Sequence, residues 1–188
     1  LTNAGGIRKQ LETDGTTDRI IRMEDVFTIQ PFPNELIVVN ITGAEMKTAL
    51  EQGVQNWKDQ LNSDGSHPYA SGIRWNLDLT QSFGNRFSNL MVKNHSTGIW
   101  SSLVSTTTYK LVITDYLRDG AENYTTFKDI CLAAGSSRCL PLGGIYAADS
   151  LANHIKSISP AKLTRPACAD YSHQSVIKTD GSALAVCQ

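Results

Sequence analysis

The sequence predicts one α+β domain in which a mixed sheet is layered with helices. Its 188 residues are 40% apolar and 19% charged, which is the composition of a soluble domain with a sizeable core. The patterns along the chain predict elements in the order β, α, β, β, β, α, α. That order departs from the regular strand–helix alternation that builds a parallel α/β sheet.

The first predicted elements are a short helical turn and a buried strand. The stretch MEDVFTIQPF (residues 23–32) predicts a helical turn followed by an extended piece, which Pro31 and Pro33 end. The β-branched run ELIVVNIT (residues 35–42) predicts a strand directly after the prolines.

The clearest helix follows in TGAEMKTALEQGVQNWKDQL (residues 42–61). Thr42 can cap this helix, and Glu45 lies three residues further on, which is the pattern of a capping box. Apolar residues recur at i, i+3 and i+4 spacing, so one face of the helix packs inward. These residues are Met46, Ala49, Leu50, Val54, Trp57 and Leu61.

The middle of the chain is rich in predicted strands. YASGIRWNLDLT (residues 69–80) alternates apolar and polar residues, as a half-buried antiparallel strand does. FSNLMVKN (residues 87–94) predicts a second strand, and YKLVIT (residues 109–114) predicts a third, more buried one. The apolar face of the first strand consists of Ile73, Trp75, Leu77 and Leu79.

The last third of the chain predicts two helices and a loop-rich tail. TTFKDICLAA (residues 125–134) is typical of a short helix, and YAADSLANHIKSI (residues 146–158) is typical of a longer one, which Pro160 ends. The final stretch TRPACADYSHQSVIKTDGSALAVCQ (residues 164–188) is loop-like. The segment from residue 131 onward is therefore predicted to be a helix followed by loops.

All four cysteines lie in this last third, at Cys131, Cys139, Cys168 and Cys187. They form no C-x-x-C pair, which argues against a zinc site. An even number of cysteines in a loop-rich region is typical of disulfides formed in an oxidising compartment. Short loops favour the pairs Cys131–Cys139 and Cys168–Cys187, although three pairings exist and four reduced, buried thiols are the alternative.

Composition and motifs argue against several classes of function. A net charge of −1 gives no reason to expect a nucleic-acid partner, and no apolar stretch is long enough to span a bilayer. The four histidines are scattered, and the chain holds no P-loop, no G-x-S-x-G elbow and no cysteine nucleophile signature. We therefore expect no catalytic residue and no metal site here. Because the chain begins at LTNAGGIR without methionine, we expect a fragment of a longer protein.

Four stretches in register resemble one protein family. NAGGIR (residues 3–8) resembles the N-G-G-G-[IV]-R turn of 5'-nucleotidase C-terminal domains, and residues 25–54 resemble the strand and helix that follow it. YASGIRWNLDL (residues 69–79) and TDYLRDGAENY (residues 114–124) resemble a later strand and the N-[FY]-L-x-x-G-G-D-G-[FY] loop. Residues 1–130 match in order, so the expected fold is the C-terminal domain of the 5'-nucleotidase, UDP-sugar hydrolase and 2',3'-cyclic-nucleotide phosphodiesterase family.

The resemblance implies a division of labour between two domains. In that family an N-terminal metallophosphoesterase domain binds two divalent metals, such as Zn or Mn, and hydrolyses the phosphate ester. The C-terminal domain binds the nucleotide. Residues 1–188 would form one such C-terminal domain, which would have no phosphatase activity by itself. Its partners would be a nucleotide or nucleoside ligand and the metallophosphoesterase domain of the same protein. Cysteine usage and the family together imply an extracellular, periplasmic or cell-surface location.

The resemblance also assigns the residues that would hold a nucleoside. Phe32 and Tyr116 match the two aromatic positions that sandwich the flat base. Glu122 matches the aspartate that accepts hydrogen bonds from the ribose hydroxyls, and its side chain is one methylene longer. The loop here is Gly-Ala-Glu-Asn, where the family has Gly-Gly-Asp-Gly. Asn123 is expected to tolerate the left-handed backbone of a glycine, and Tyr124 to pack beneath the loop.

The glycine turn supplies the remaining binding residues. Arg8 matches a phosphate-binding arginine, and Asn3 matches the asparagine that pairs with the edge of the base. Gly5 and Gly6 would let the backbone approach the ligand closely. Each of these residues also has an interpretation without a ligand. Phe32 and Tyr116 would then be aromatics at the rim of the core, Glu122 a solvated turn residue and Arg8 an ordinary surface arginine. The functional alternative is an extracellular nucleoside- or nucleotide-binding module without catalysis, which the altered loop favours.

Overall fold

The computed structural model describes residues 1–11, 19–59, 64–158 and 162–186, apart from the side chains of Trp57 and Asp59. The helices within these ranges are α1 (Met23–Ile29), α2 (Gly43–Asp59), α3 (Asp115–Arg118), α4 (Thr125–Leu132) and α5 (Ala147–Ile158). The strands are β1 (Thr2–Asn3), β2 (Glu35–Thr42), β3 (Pro68–Tyr69), β4 (Ile73–Asp78), β5 (Phe87–Lys93), β6 (Trp100–Ser102), β7 (Thr108–Thr114), β8 (Cys139–Tyr146), β9 (His173–Ile177) and β10 (Ala183–Leu184). No helix among the described residues has both the length and the apolar character needed to cross a bilayer.

The strands form three sheets. One has five strands in the order β10-β9-β4-β5-β6, one has three strands in the order β7-β2-β8, and β1 pairs with β3 alone. In the five-stranded sheet β4 and β9 run parallel, whereas the other neighbours run antiparallel. The predicted α+β fold with a mixed sheet is therefore confirmed.

Helix α2 packs against both of the larger sheets. Its start is the predicted capping box, because the backbone N–H and the hydroxyl of Thr42 both donate to Glu45 Oε2 at 2.8 Å. Its apolar face is buried as predicted, and each large side chain there contributes about 1.5–3 kcal/mol to stability. The buried residues of that face are Met46, Ala49, Leu50 and Val54. The predicted contributions of Leu61 and the Trp57 side chain lie outside the described residues.

The predicted strands β2, β5 and β7 appear within one residue of their predicted bounds. β2 is central in its sheet, and its inward residues join those of β4, β7 and α2 in one apolar core. The predicted strand over residues 69–80 is divided, since Ile73–Asp78 lies in the five-stranded sheet and Tyr69 pairs with β1. A second, smaller cluster joins α1 to α5.

The loop-like interpretation of the tail is wrong at two places, and β8 was missed. β9 (His173–Ile177) pairs in parallel with β4, and β10 (Ala183–Leu184) pairs with β9. These strands are too short for an alternating pattern, and they are stabilised by pairing, β9 with β4 and β10 with β9. β8 contains Pro141 and two glycines with positive φ, which in sequence indicate a turn, yet it forms an edge strand beside β2.

The predicted disulfide between Cys131 and Cys139 is confirmed, and it closes the loop between α4 and β8. Cys187 and Pro160 lie outside the described residues, so the Cys168–Cys187 pair and the predicted helix stop stay predictions. Immediately before the second bridged cysteine, Arg138 donates through Nη1 and Nη2 to the two carboxylate oxygens of Glu45, at 3.0 and 2.6 Å. This pair connects the disulfide loop to the first turn of α2.

The Glu45–Arg138 pair predicts an acid-dependent part of the stability. The hydrogen bonds from Arg138 lower the pKa of Glu45 from 4.5 to about 2, against the opposing effect of burial. A carboxyl with a lowered pKa stabilises the fold above its ordinary pKa, and this contribution is lost as the pH falls from 4.5 towards 2. We expect Glu45→Gln to lose about 1 kcal/mol at neutral pH and to show a flatter decline in that interval.

Urea unfolding at several pH values measures this difference. Glu24→Gln is the matched control, because Glu24 is exposed on α1 and lies 3.7 Å from Arg22. The control should follow the unsubstituted protein at every pH. A Glu45→Gln profile parallel to that of the unsubstituted protein would contradict the prediction.

Candidate functional site

The two predicted base-stacking aromatics lie at the same end of the three-stranded sheet. Leu36, near the start of β2, is opposite Thr114, the last residue of β7. Phe32 precedes β2 by a short bend, and Tyr116 lies in α3 directly after β7. The two side chains are 43% and 42% exposed, so both rings are open to solvent beyond the sheet end.

The carboxylate of Glu122 is held by two neighbours. The hydroxyl of Tyr116 donates to Glu122 Oε1 at 3.3 Å, and Asn56 Nδ2 on α2 donates to Oε2 at 3.2 Å. Burial is the largest cause that raises the pKa of Tyr116, followed by the charge and hydrogen bond of Glu122. Its phenol therefore stays protonated and continues to donate at neutral pH. One predicted stacking residue thus directly contacts the predicted ribose-binding residue.

The loop that carries Glu122 has an unusual backbone. Gly120 has φ 84°, while Glu122 and Asn123 follow with φ of 55° and 67°. The left-handed Asn123 matches the expectation for a glycine replacement, but a left-handed Glu122 is uncommon and costs about 1–2 kcal/mol. Strain of this kind is frequent at ligand-binding loops and requires support from the surrounding structure.

The support comes from Tyr124, which packs beneath the loop as predicted. Its side chain is fully buried, its ring is stacked on Phe127, and its hydroxyl donates to Ser66 O at 2.7 Å. The ring packs directly against Gly53 on α2. The contact is so close that a Cβ added to Gly53 would lie 2.6 Å from Tyr124 Cζ. The loop is therefore fixed to both α2 and the turn at Asp64–Ser66.

The glycine turn packs on that same 64–66 segment. Asn3 is only 3% exposed, and its Nδ2 donates to Gly65 O at 2.8 Å. A Cβ on Gly5 would come within 3.2 Å of Gly65 Cα, so the glycine permits close backbone packing. A Cβ on Gly6 would meet Asn3 Oδ1 at 3.4 Å. The contacts of Asn3, Gly5 and Gly6 are thus to the protein itself, and their contacts to a ligand stay predictions.

Arg8 connects the glycine turn to the first aromatic. Its guanidinium carbon lies 5.8 Å from the centre of the Phe32 ring, and its Nη1 donates to Gly5 O at 3.2 Å. Its backbone N–H donates to Ile29 O at 2.8 Å. The side chain is exposed, so its charge is available to an anion in solvent.

A chain of contacts therefore connects the predicted residues, from Phe32 and Arg8 through the glycine turn and the 64–66 segment to the Glu122 loop and Tyr116. Asn3 and Ser66 within it are buried, and its exposed part, which includes Arg8, Phe32 and Tyr116, is the candidate surface. Asp119, the other acid of the loop, is paired with its neighbour, because its two carboxylate oxygens accept from Arg118 at 2.8 and 3.0 Å.

Sequence reasoning missed three residues at this surface. Asn56 orients Glu122, Gly53 accommodates Tyr124, and Tyr146 is an exposed aromatic opposite Glu35 at the same sheet end. The sequence carried one indication for Asn56: it lies one turn before the end of α2, on the polar face of that helix, where a side chain can reach a neighbouring loop. Nothing local indicates the other two, since their roles depend on which segments fold against them.

Comparison with known proteins decides the family. A model of the family described as 5'-nucleotidase, C-terminal domain, matches residues 1–129. The chain belongs to this family. The resemblance stated from the four motifs is therefore confirmed.

Relatives are similar over only part of their own length. Protein 5NUC of Lutzomyia longipalpis is 27% identical over 163 residues, which make up 86% of this chain and 27% of that protein. The NAD 5'-nucleotidase of Haemophilus influenzae is 29% identical over 128 residues, 68% of this chain and 20% of that protein. The crystal structure of the 5'-nucleotidase precursor from Thermus thermophilus superposes with a TM-score of 0.70 at 26% identity, covering 87% of this chain and 29% of that one.

A cavity of about 830 Å³ lies beside the candidate surface of this 5'-nucleotidase C-terminal domain. It is mostly apolar and borders Asp64, but its lining includes none of the predicted binding residues, and more than half of the lining lies after residue 129. His67 and His173 meet at its edge with Nε2 atoms 2.7 Å apart. Burial lowers the pKa of each to about 4, so both imidazoles are neutral at neutral pH.

The packing of Tyr124 on Gly53 predicts the effect of adding one methyl group. Alanine favours an α-helix over glycine by about 1 kcal/mol, so Gly53→Ala would stabilise an isolated α2. In this domain we expect the reverse, a loss of about 1–3 kcal/mol, because the new Cβ overlaps the Tyr124 ring and lies 3.0 Å from Ser66 O. Urea unfolding measures the sign directly.

Thr48→Ala is the matched control on the exposed side of the same helix, and it should change stability by no more than about 0.5 kcal/mol. A Gly53→Ala variant more stable than the unsubstituted domain would show that Tyr124 does not rest on α2.

Proposed function

We propose that this chain is the nucleotide-binding C-terminal domain of a secreted, metal-dependent 5'-nucleotidase-type phosphohydrolase. The observation that carries the proposal is the contact between Tyr116 and Glu122, since it joins an exposed aromatic ring and an oriented carboxylate in one motif of the family. A nucleoside requires both, a flat surface for the base and an acceptor for the sugar hydroxyls.

The base would lie between Phe32 and Tyr116. Each ring is exposed at the same sheet end, and each stack would contribute about 1–3 kcal/mol. Phe32 follows and precedes a proline, and Tyr116 is tied through its hydroxyl to Glu122, so little side-chain freedom is lost on binding.

The ribose would lie against Glu122. Tyr116 and Asn56 each donate to one of its oxygens, which leaves further lone pairs on both oxygens for the vicinal hydroxyls. Asn56 also compensates for the additional methylene of glutamate, because it fixes the position of the longer side chain from the side of α2. The exposed Arg8 is the proposed contact for a phosphate group.

Hydrolysis would be the task of the metallophosphoesterase domain of a longer chain. Within the described ranges no three or more His, Cys, Asp or Glu side chains are grouped to hold one metal ion. The two metals of the proposed enzyme, such as Zn or Mn, would therefore be bound by that other domain and would activate the attacking water there. The residues of this chain would bind and orient the substrate.

An extracellular, periplasmic or cell-surface location fits the disulfide between Cys131 and Cys139. Relatives with such names include a snake venom 5'-nucleotidase of Crotalus adamanteus, 27% identical, and a cell wall protein of Listeria monocytogenes, 29% identical. A binding module without catalysis is the second candidate, favoured by the Gly-Ala-Glu-Asn loop and its left-handed Glu122.

The stacking proposal predicts the effect of removing either ring. Phe32→Ala and Tyr116→Ala should each weaken binding of adenosine and AMP by about 1–3 kcal/mol, which is roughly 5- to 150-fold. Titration calorimetry measures both affinities on the 188-residue chain. Phe83→Ala is the matched control, since Phe83 is 47% exposed on the turn between β4 and β5. Unchanged nucleoside affinity in both test variants would end the site assignment.

The ribose contact predicts a coupling between Glu122 and the sugar hydroxyls. Glu122→Gln keeps the size of the side chain but removes its charge, and it should weaken adenosine binding by roughly tenfold. The same substitution should leave 2',3'-dideoxyadenosine almost unaffected, because that ligand lacks the hydroxyls. Equal losses for the two ligands would place the ribose elsewhere, whereas the base-stacking result would stand independently.

A further inference from the structure

Two imidazole nitrogens converge at the edge of the cavity. His67 follows the 64–66 turn, and His173 begins β9, so the chain brings them together across 106 residues. Their Nε2 atoms lie 2.7 Å apart, while the ring centroids are 4.9 Å apart and the planes differ by 18°. The distance from the centre of an imidazole ring to a ring atom is about 1.1 Å, so two rings in line with their Nε2 atoms 2.7 Å apart would have centroids about 4.9 Å apart, as is found here. The rings therefore meet end to end, with the two Nε2 atoms directed at each other.

The far nitrogen of one ring already has the partner that a metal-binding histidine needs. Nδ1 of His173 lies 3.0 Å from the hydroxyl oxygen of Ser172, which is buried. When Nδ1–H donates to that oxygen, Nε2 carries a lone pair directed at His67. Metal-binding histidines almost always donate their second ring N–H in this way.

We propose that His67 and His173 bind one divalent transition-metal ion, such as Zn²⁺, through their Nε2 atoms. In the metal-bound form His67 carries its proton on Nδ1, so both imidazoles stay neutral and both Nε2 lone pairs face the ion. Imidazole is a favoured ligand of Zn²⁺, Cu²⁺ and Ni²⁺. Water occupies the remaining positions, and Asp64, which lines the same cavity, places a negative charge near the ion.

Metal binding requires a local rearrangement of the two side chains. Zn–N bonds of about 2.0–2.1 Å in a tetrahedral site separate two nitrogens by roughly 3.3 Å, so the pair must open by about 0.6 Å and each ring must turn by about 35° to direct its lone pair at the ion. Both histidines line the cavity, whose open volume is the space into which the rings would turn. The site is independent of the proposed nucleotide site, since none of the proposed nucleoside contacts lines this cavity.

Titration of the metal-free 188-residue chain with Co²⁺ tests the proposal, since a bound Co²⁺ ion absorbs visible light and Zn²⁺ should displace it. We expect a single saturable site in the unsubstituted chain. His67→Gln and His173→Gln should each weaken Co²⁺ binding by at least about tenfold. The exposed His95 and His154 provide matched controls, and His95→Gln and His154→Gln should bind Co²⁺ as the unsubstituted chain does.

Thermal unfolding gives a second readout that does not depend on folding of the two cavity variants. Zn²⁺ should raise the Tm of the unsubstituted chain, a chelator should reverse the rise, and the double variant His95→Gln/His154→Gln should retain it. Absence of any Zn²⁺-dependent shift, or its loss in the double control, would overturn the proposal. Equal Co²⁺ affinity in His67→Gln, His173→Gln and the unsubstituted chain would overturn it as well, and the pair would then be a hydrogen bond alone.

Discussion

One buried hydrogen bond, from the hydroxyl of Tyr124 to Ser66 O, holds the candidate site together. It joins the Glu122 loop to two segments that lie more than 50 residues earlier in the chain, the 64–66 turn and helix α2, on whose Gly53 the Tyr124 ring packs. Burial raises the pKa of Tyr124, so the phenol stays protonated and continues to donate. A buried donor or acceptor left unpaired costs about 1–3 kcal/mol, which makes this contact a strong constraint on where the loop can lie.

That constraint allows the loop to keep a backbone it would otherwise avoid. Glu122 and Asn123 are both left-handed, and only a firmly held segment retains two such residues in succession. The result is a carboxylate whose direction is set before any ligand arrives, with Tyr116 and Asn56 as its donors. Preorganisation of this kind reduces the entropy that a ligand must overcome on binding. In the proposed site, the strained loop would be the feature that sets the direction of the ribose-binding carboxylate.

The 64–66 turn also connects two regions with different chemistry. One is the glycine turn, whose Asn3 side chain donates to Gly65 O. The other is the cavity, whose wall includes Asp64 of this turn, Ala4 of the glycine turn and His173 from β9. Since β9 pairs in parallel with β4, a segment beyond the matched family region is built into the main sheet. A ligand of either region would therefore contact elements that share this short turn.

Local patterns were sufficient for the central elements of the fold and for part of the site. The capping box of α2, the β-branched residues of β2 and the short loop between Cys131 and Cys139 are signals carried by neighbouring residues, and each prediction is confirmed. The family motifs added Phe32, Tyr116 and Glu122 as candidates. The tail strands escaped prediction because their stability comes from pairing with remote segments, β9 with β4 and β10 with β9. β8 escaped because its proline and glycines favour a turn.

The sequence by itself thus determined which segments form helix or strand wherever the signal is local, and which family the motifs resemble. Only the tertiary structure decided that Asn56 would hold Glu122, that Gly53 would receive the Tyr124 ring, and that His67 would meet His173. The physical reason is the same in each case. These contacts join residues far apart along the chain, and their geometry depends on packing that no short stretch of sequence encodes.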